Sequence, residues 1–295
     1  MKACIDIGSN SVLLLVMDGD RVVHDEARVV GLGRGMGETG VFRPERMDAA
    51  LATLRHYAAT AQALGVAPAA IRAVATSASR RALNAATFYA DVRRQTGVAV
   101  DVLPGEEEAR LTFLGGLTGL ALPPGPVLLC DPGGGSTEII LGEGGKIVYR
   151  VSLEIGTVRL TDAFLGYERV EPPALARCRA AVEEAVATVR LPARPRAIVA
   201  VAGTATSLAA TNLGLEAYDP RLVHNSVLTA ARLRTWGDRL LAATPAERRS
   251  LLVSCPDRAD TLLAGVIILV AVLAVSGRKS YRVSDRGLRF GALAT

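Results

Sequence analysis

Apolar residues run through Ala3-Cys-Ile-Asp-Ile7 and again through Val12–Met17, with the polar Gly8-Ser-Asn-Ser11 between them. Two short apolar runs around such a segment predict strands joined by a tight turn. Asp18-Gly-Asp20 has turn composition and leads into Arg21-Val-Val-His24, so the chain is predicted to open as an antiparallel meander. Between Arg43 and Leu64, the apolar positions Met47, Ala50, Leu51, Leu54, Tyr57 and Ala58 recur at helical spacing, and Gly65 can end that helix. A strand is predicted over Ile71–Ala75. Farther on, Val127–Cys130 and Thr137–Leu141 repeat the arrangement of strand, glycine-rich turn and strand. Both turns begin Asp-x-Gly, at Asp6 and Asp131, which points to a duplicated half. A length of 295 residues suits two domains. The division is expected within the Gly- and Pro-containing stretch Gly115–Pro126, giving lobes over 1–120 and 121–295, each bringing one turn to a shared cleft.

Leu262–Val275 is an uninterrupted apolar run, shorter than the roughly 20 residues a membrane span requires, and it predicts a core helix. The N-terminus reaches Asp6 without the apolar stretch of a secretory signal, so a cytoplasmic protein without membrane attachment is expected. Half of the residues are apolar and 21% are charged, the balance of a globular chain able to bury a core. The net charge of +5 favours anionic partners, but 4% aromatics leave little material for stacking bases, so nucleic acid is not the expected polyanion. Cys4, Cys130, Cys178 and Cys255 are far apart, as are His24, His56 and His224, and none has the spacing of a zinc site or disulfide framework. The chain has no P-loop signature, and glycines 31, 33, 35 and 37 do not make the dinucleotide fingerprint.

Asp131-Pro-Gly-Gly-Gly-Ser-Thr-Glu138 carries the sharpest chemical signal. Consecutive glycines let backbone N–H groups converge on a phosphate oxygen, with Ser136 and Thr137 beside them. Asp131 and Glu138 supply two hard oxygen donors, suited to Mg²⁺ carried by that phosphate. In the first turn, Ser9, Asn10 and Ser11 offer further donors. Gly105-Glu-Glu-Glu-Ala-Arg-Leu111 opens a helix with carboxylates, one of which could orient or deprotonate water. Arg80, in Ala75-Thr-Ser-Ala-Ser-Arg80, follows a strand and could pair with phosphate oxygens. Gly203 and Thr204 lie in a small-residue turn after the predicted strand Ala197–Val201, and Ser284–Gly291 gathers acid, arginine and glycine at a strand-to-helix junction. Each segment by itself also reads as an ordinary hairpin, helix start, surface arginine or cap.

Taken in order, Asp6-Ile-Gly-Ser-Asn-Ser11, Ala75–Arg80 with Asn84, Glu107-Glu-Ala-Arg-Leu111, Asp131–Glu138, Gly203-Thr204, Arg258-Ala-Asp260 and Ser284–Arg289 resemble the exopolyphosphatase and guanosine pentaphosphate phosphohydrolase family, a branch of the superfold shared with actin and sugar kinases. The resemblance implies an α/β fold of two ribonuclease-H-like lobes with an interlobe cleft. It implies Glu108 as catalytic base, Arg80 as a phosphate-contacting catalytic residue, and Asp131 and Glu138 as Mg²⁺ ligands. Phosphate binding falls to Ser9, Asn10, Ser11, Gly133, Gly134, Gly135, Ser136, Thr137, Gly203 and Thr204. The substrate would be inorganic polyphosphate or guanosine penta- or tetraphosphate, and the protein a homodimer. Arg81 stands where relatives often have an acid or glutamine, and Pro132 replaces an aliphatic residue, both with possible consequences for substrate preference. The chain resembles the short, two-domain members. An ATPase or small-molecule kinase of the same superfold would use the same paired turns but depend on adenosine; a non-catalytic binder would bind without turnover.

Overall fold

A computed structural model describes residues 1–294. The chain divides into two compact units, Met1–Gly115 together with the segment from Leu288, and Gly116–Gly287. Residues 288–294 thus belong with the first unit although they follow the second in the chain.

In the first unit, β1 (Lys2–Ile7), β2 (Ser11–Asp18) and β3 (Arg21–Val29) form the antiparallel meander, and β4 (Ile71–Ala75) and β5 (Val100–Val102) extend the sheet in parallel from β1. The strand order is β3-β2-β1-β4-β5. Being central, β1 is covered on both faces, which is why its apolar run is nearly continuous. Alternation along it separates two cores. Ala3, Ile5 and Ile7 face a layer made by Pro44–Ala63 and Ala85–Thr96, with Leu54, Tyr57, Phe88 and Val92. Cys4 points the other way, into a small cluster with Val74, Leu103, Leu111, Leu288 and Ala292. That second face is closed by helix Gly105–Leu117 and the terminal helix Leu288–Ala294. Gly291 lies directly against the Leu111 carbonyl, where no side chain fits. Arg72 of β4 donates to the Ala292 carbonyl at 2.6 Å.

The second unit repeats the plan. Its meander is β6 (Val127–Pro132), β7 (Thr137–Glu143) and β8 (Lys146–Leu153); β9 (Ala197–Ala200) runs parallel to β6, β11 (Ser280–Val283) parallel to β9, and β10 (Val227–Thr229) caps the edge antiparallel. Read from the meander, β8-β7-β6-β9-β11 has the order of the first sheet. Both units are therefore ribonuclease-H-like, and two in one chain make the actin-like ATPase superfold. The apolar run forms helix Leu262–Ser276, whose Leu263, Ile268, Leu269 and Val272 lie in the core with Leu128, Cys130, Ile139 and Ile198. Among the described residues no helix is long and apolar enough to cross a membrane.

Candidate functional site

In the first unit, the turn after β1 is tied down by its backbone. The Gly8 N–H donates to the Ser11 carbonyl at 2.9 Å, the Asn10 carbonyl accepts from Val30 and Gly31, and the Ser9 carbonyl accepts from Gly33 at 2.7 Å. Ser9, Asn10 and Ser11 are all buried. Yet the Asn10 amide oxygen and nitrogen and the Ser11 hydroxyl have no hydrogen-bond partner among the described residues. A buried polar atom left unpaired costs about 1–3 kcal/mol, so a cluster of them on a braced turn marks a candidate site for a polar ligand.

Period two along β1 puts Asp6 on the same face as Cys4, the face covered by helix Gly105–Leu117. Glu108 sits in that helix's first turn, only 8% exposed. Arg80, in the short helix Ser77–Arg81 that follows β4, donates from Nη1 to Glu108 Oε2 at 2.5 Å and to the Leu103 carbonyl at 2.9 Å. Burial raises the Glu108 pKa against the lowering effect of Arg80, and the Asp6 charge raises it further. Asp6 itself is pushed up to about 6, by burial, with Arg289 of the terminal helix opposing. Two carboxyls with raised pKa values and an arginine thus share one end of the sheet. The opening motif contains Asp6 but gives it no site role; its influence on Glu108 depends on β1 and the helix lying together.

In the second unit, Asp131 and Glu138 are directly paired across β6 and β7. Glu138 Oε1 accepts from the Ser136 and Ser152 hydroxyls, both at 2.8 Å. The Gly133 N–H closes the turn onto the Ser136 carbonyl at 2.9 Å. Thr137 is fully buried and donates its hydroxyl to the Ile155 carbonyl at 2.6 Å. The hydroxyls of Ser136 and Thr137 are thereby spent within the protein, and the donors that the turn offers outward are backbone amides. Among the described residues no group of three or more His, Cys, Asp or Glu side chains could hold a metal ion. The Asp131 and Glu138 pair is a two-carboxylate set, the number with which Mg²⁺ is commonly bound when substrate oxygens and water complete its shell.

The chain enters helix Ala202–Asn212 from β9 through Ala202, which has φ of 63°, a left-handed conformation that a non-glycine residue rarely adopts. The Arg258 guanidinium lies against Gly203, where any side chain would displace it. Thr204 is buried against Gly265 of the core helix. Arg258 belongs to the Arg258-Ala-Asp260 motif, which assigns it no role in sequence because nothing local ties it to Gly203; burial lowers its pKa.

Comparison with known proteins agrees with this layout. The sequence profile of the Ppx/GppA phosphatase family matches residues 16–295. This chain belongs to that family. It is 36% identical over 287 residues to Exopolyphosphatase 2 of Mycobacterium tuberculosis, covering 90% of this chain and 88% of the relative. A solved Ppx/GppA family member of Aquifex aeolicus is 34% identical, with a TM-score of 0.80 over 99% of this chain and 95% of that one. An exopolyphosphatase structure from Cytophaga hutchinsonii has 27% identity and a TM-score of 0.88, covering 99% and 96%. The resemblance drawn from the ordered motifs is thus borne out, and with it the expectation of a phosphohydrolase at the level of the Ppx/GppA family. Within this family member, Glu108 and Arg80 meet directly, Asp131 and Glu138 are cross-strand neighbours on β6 and β7, Gly203 lies against Arg258, and Thr204 packs on Gly265.

Proposed function

We propose that this protein is an exopolyphosphatase that removes the terminal phosphate of inorganic polyphosphate by attack of water. The observation that carries the reading is Glu108: a buried carboxylate held by Arg80, with its pKa raised by burial and by the Asp6 charge against the lowering effect of Arg80. Support for polyphosphate comes from the exopolyphosphatase relatives of similar length.

In this reading Glu108 orients a water molecule and takes its proton as the water oxygen attacks the terminal phosphorus. The bridging P–O bond breaks, releasing orthophosphate and a chain shorter by one unit. Phosphate binding is assigned in the first unit to Ser9, Asn10, Ser11 and Arg80, and in the second unit to the turn Gly133, Gly134, Gly135, Ser136 and Thr137, chiefly through the amides of Gly134, Gly135 and Ser136, and to Gly203 and Thr204. Such positioning and charge neutralisation make up most of what phosphoryl transfer asks of a protein. Asp131 and Glu138 would hold Mg²⁺, which supplies charge neutralisation on the phosphate oxygens when bound. A homodimer belongs to the proposal through the family and is checked by light scattering.

The test is phosphate release measured in parallel from long polyphosphate, tripolyphosphate, guanosine pentaphosphate and ATP, with and without Mg²⁺. Release from polyphosphate that requires Mg²⁺ is expected. Preference for guanosine pentaphosphate would move the substrate within the family, whereas activity confined to ATP would overturn the reading.

A further inference from the structure

The carbonyls of the glycine turn all point at one segment of the chain. Gly133 O accepts from the Thr157 N–H at 2.8 Å, and Gly134 O accepts from the N–H groups of Val158 and Arg159 at 2.9 and 3.1 Å. Gly135 O accepts from Arg159 Nε at 2.9 Å. In a planar trans peptide, the C=O of one residue and the N–H of the next point in opposite directions. The amides of Gly134, Gly135 and Ser136 are therefore turned to the far side of the turn from residues 157–159. Among the described residues these three amides have no hydrogen-bond acceptor. Three consecutive unpaired N–H groups on one side of a turn make an anion nest.

This orientation has a steric condition. Gly156 lies so close to Gly134 and Gly135 that a Cβ there would overlap their backbone. Its φ of −138° is open to any residue, so the requirement is space, not conformation. Only a residue without a side chain lets the Thr157–Arg159 amides close on the three carbonyls. The last carbonyl needs more reach than the backbone has, and the Arg159 side chain supplies it; Nη2 of the same guanidinium donates to Glu154 at 2.7 Å.

We propose that Gly156 and Arg159 are positioning residues for phosphate binding: Arg159, through the Gly135 carbonyl, fixes the peptide that aims the Ser136 N–H at the substrate, and Gly156 makes the approach possible. The inference rests on the reading that this turn binds phosphate. It assigns a function to a segment, Gly156-Thr-Val-Arg159, to which the sequence motifs gave none. It also explains why the nest survives although the Ser136 and Thr137 hydroxyls point elsewhere.

The experiment compares wild type with Arg159→Met, Gly156→Ala and Glu154→Gln. Tripolyphosphate affinity is measured by titration calorimetry, alongside KM, kcat, the pH profile and Tm. Arg159→Met keeps the length of the side chain and removes the donor. Loss of a charged hydrogen bond is expected to weaken tripolyphosphate binding and raise KM by about tenfold. The pH profile should stay in place, because Glu108 is untouched. Glu154→Gln keeps the Arg159–Gly135 bond and removes the exposed ion pair with Arg159, so a change under about twofold is expected. Gly156→Ala should lose more affinity than Arg159→Met; should it fail to fold, Arg159→Met decides alone. Unchanged tripolyphosphate affinity and KM in a folded Arg159→Met protein would overturn the inference and leave the phosphohydrolase reading standing. An equal loss in Glu154→Gln would also overturn it, by tracing the effect to the ion pair. Wild type that neither binds nor hydrolyses tripolyphosphate or polyphosphate would take down both.

Discussion

Arg80 and Glu108 meet at 2.5 Å between Nη1 and Oε2, and the same arginine nitrogen donates to the Leu103 carbonyl just ahead of the helix that carries Glu108. One guanidinium thus ties the end of β4 to the start of helix Gly105–Leu117. It also holds a buried carboxylate in a single orientation. With Glu108 pulled upward by burial and by Asp6, and downward by Arg80, the pair sets the proton affinity of the candidate base.

Glu108→Gln keeps the shape and the oxygen that accepts from Arg80, but cannot take a proton from water. Phosphate release should fall by at least about a hundredfold, the lower end of general-base contributions. Circular dichroism and Tm should match wild type. Near-normal turnover in a folded Glu108→Gln protein would remove Glu108 as the base.

Arg80→Met removes the group that lowers the Glu108 pKa and leaves the influences that raise it. Because the base must be ionised to act, the ascending acid limb of kcat/KM should move to higher pH, together with a fall in kcat/KM of about ten- to a hundredfold. An acid limb that stays in place would show that Arg80 does not set the Glu108 charge state.

Asp6→Asn tests the cost of a buried charge. The Asp6 carboxyl titrates at about 6 in the fold against an ordinary value of 3.8, so the folded state holds its proton more tightly than the unfolded state. Stability from the protonated form is then present below the lower value and lost as pH rises through the upper one. Asparagine mimics the protonated acid. The Asp6→Asn protein should melt higher than wild type at about pH 8, with the gap closing toward about pH 4. Equal melting points across that range would refute the shift.

Gly291→Ala places a methyl against the Leu111 carbonyl, in the contact that holds the terminal helix on the first unit. Crowding of this kind costs about 1–3 kcal/mol in urea unfolding. Gly287→Ala is the control, since a Cβ there meets nothing within 4 Å. Equal stability of the two variants would exclude the close approach at Gly291.

Much of the fold is legible in sequence because its signals are local. Alternation and short apolar runs mark the β1–β2 and β6–β7 hairpins, and helical spacing marks Pro44–Ala63. The apolar run became helix Leu262–Ser276 because 14 residues, Leu262–Val275, suit a core better than a membrane. The attachment of residues 288–294 to the first unit was not legible, since it depends on Gly291 meeting Leu111 and Ala292 meeting Arg72 across most of the chain.

For the candidate site, the sequence by itself determined which chemical groups are available: two Asp-x-Gly turns, a carboxylate-rich helix start, an arginine after a strand, and their order, which is enough for the family. Tertiary structure decided which partners those groups take. The Thr137 hydroxyl turns to Ile155 and the Ser136 hydroxyl to Glu138, Asp6 reaches Glu108 by strand alternation, and Arg159 reaches back to Gly135. The reason is that residue type and spacing specify donors and acceptors, while the direction of each hydrogen bond depends on partners brought near only by packing.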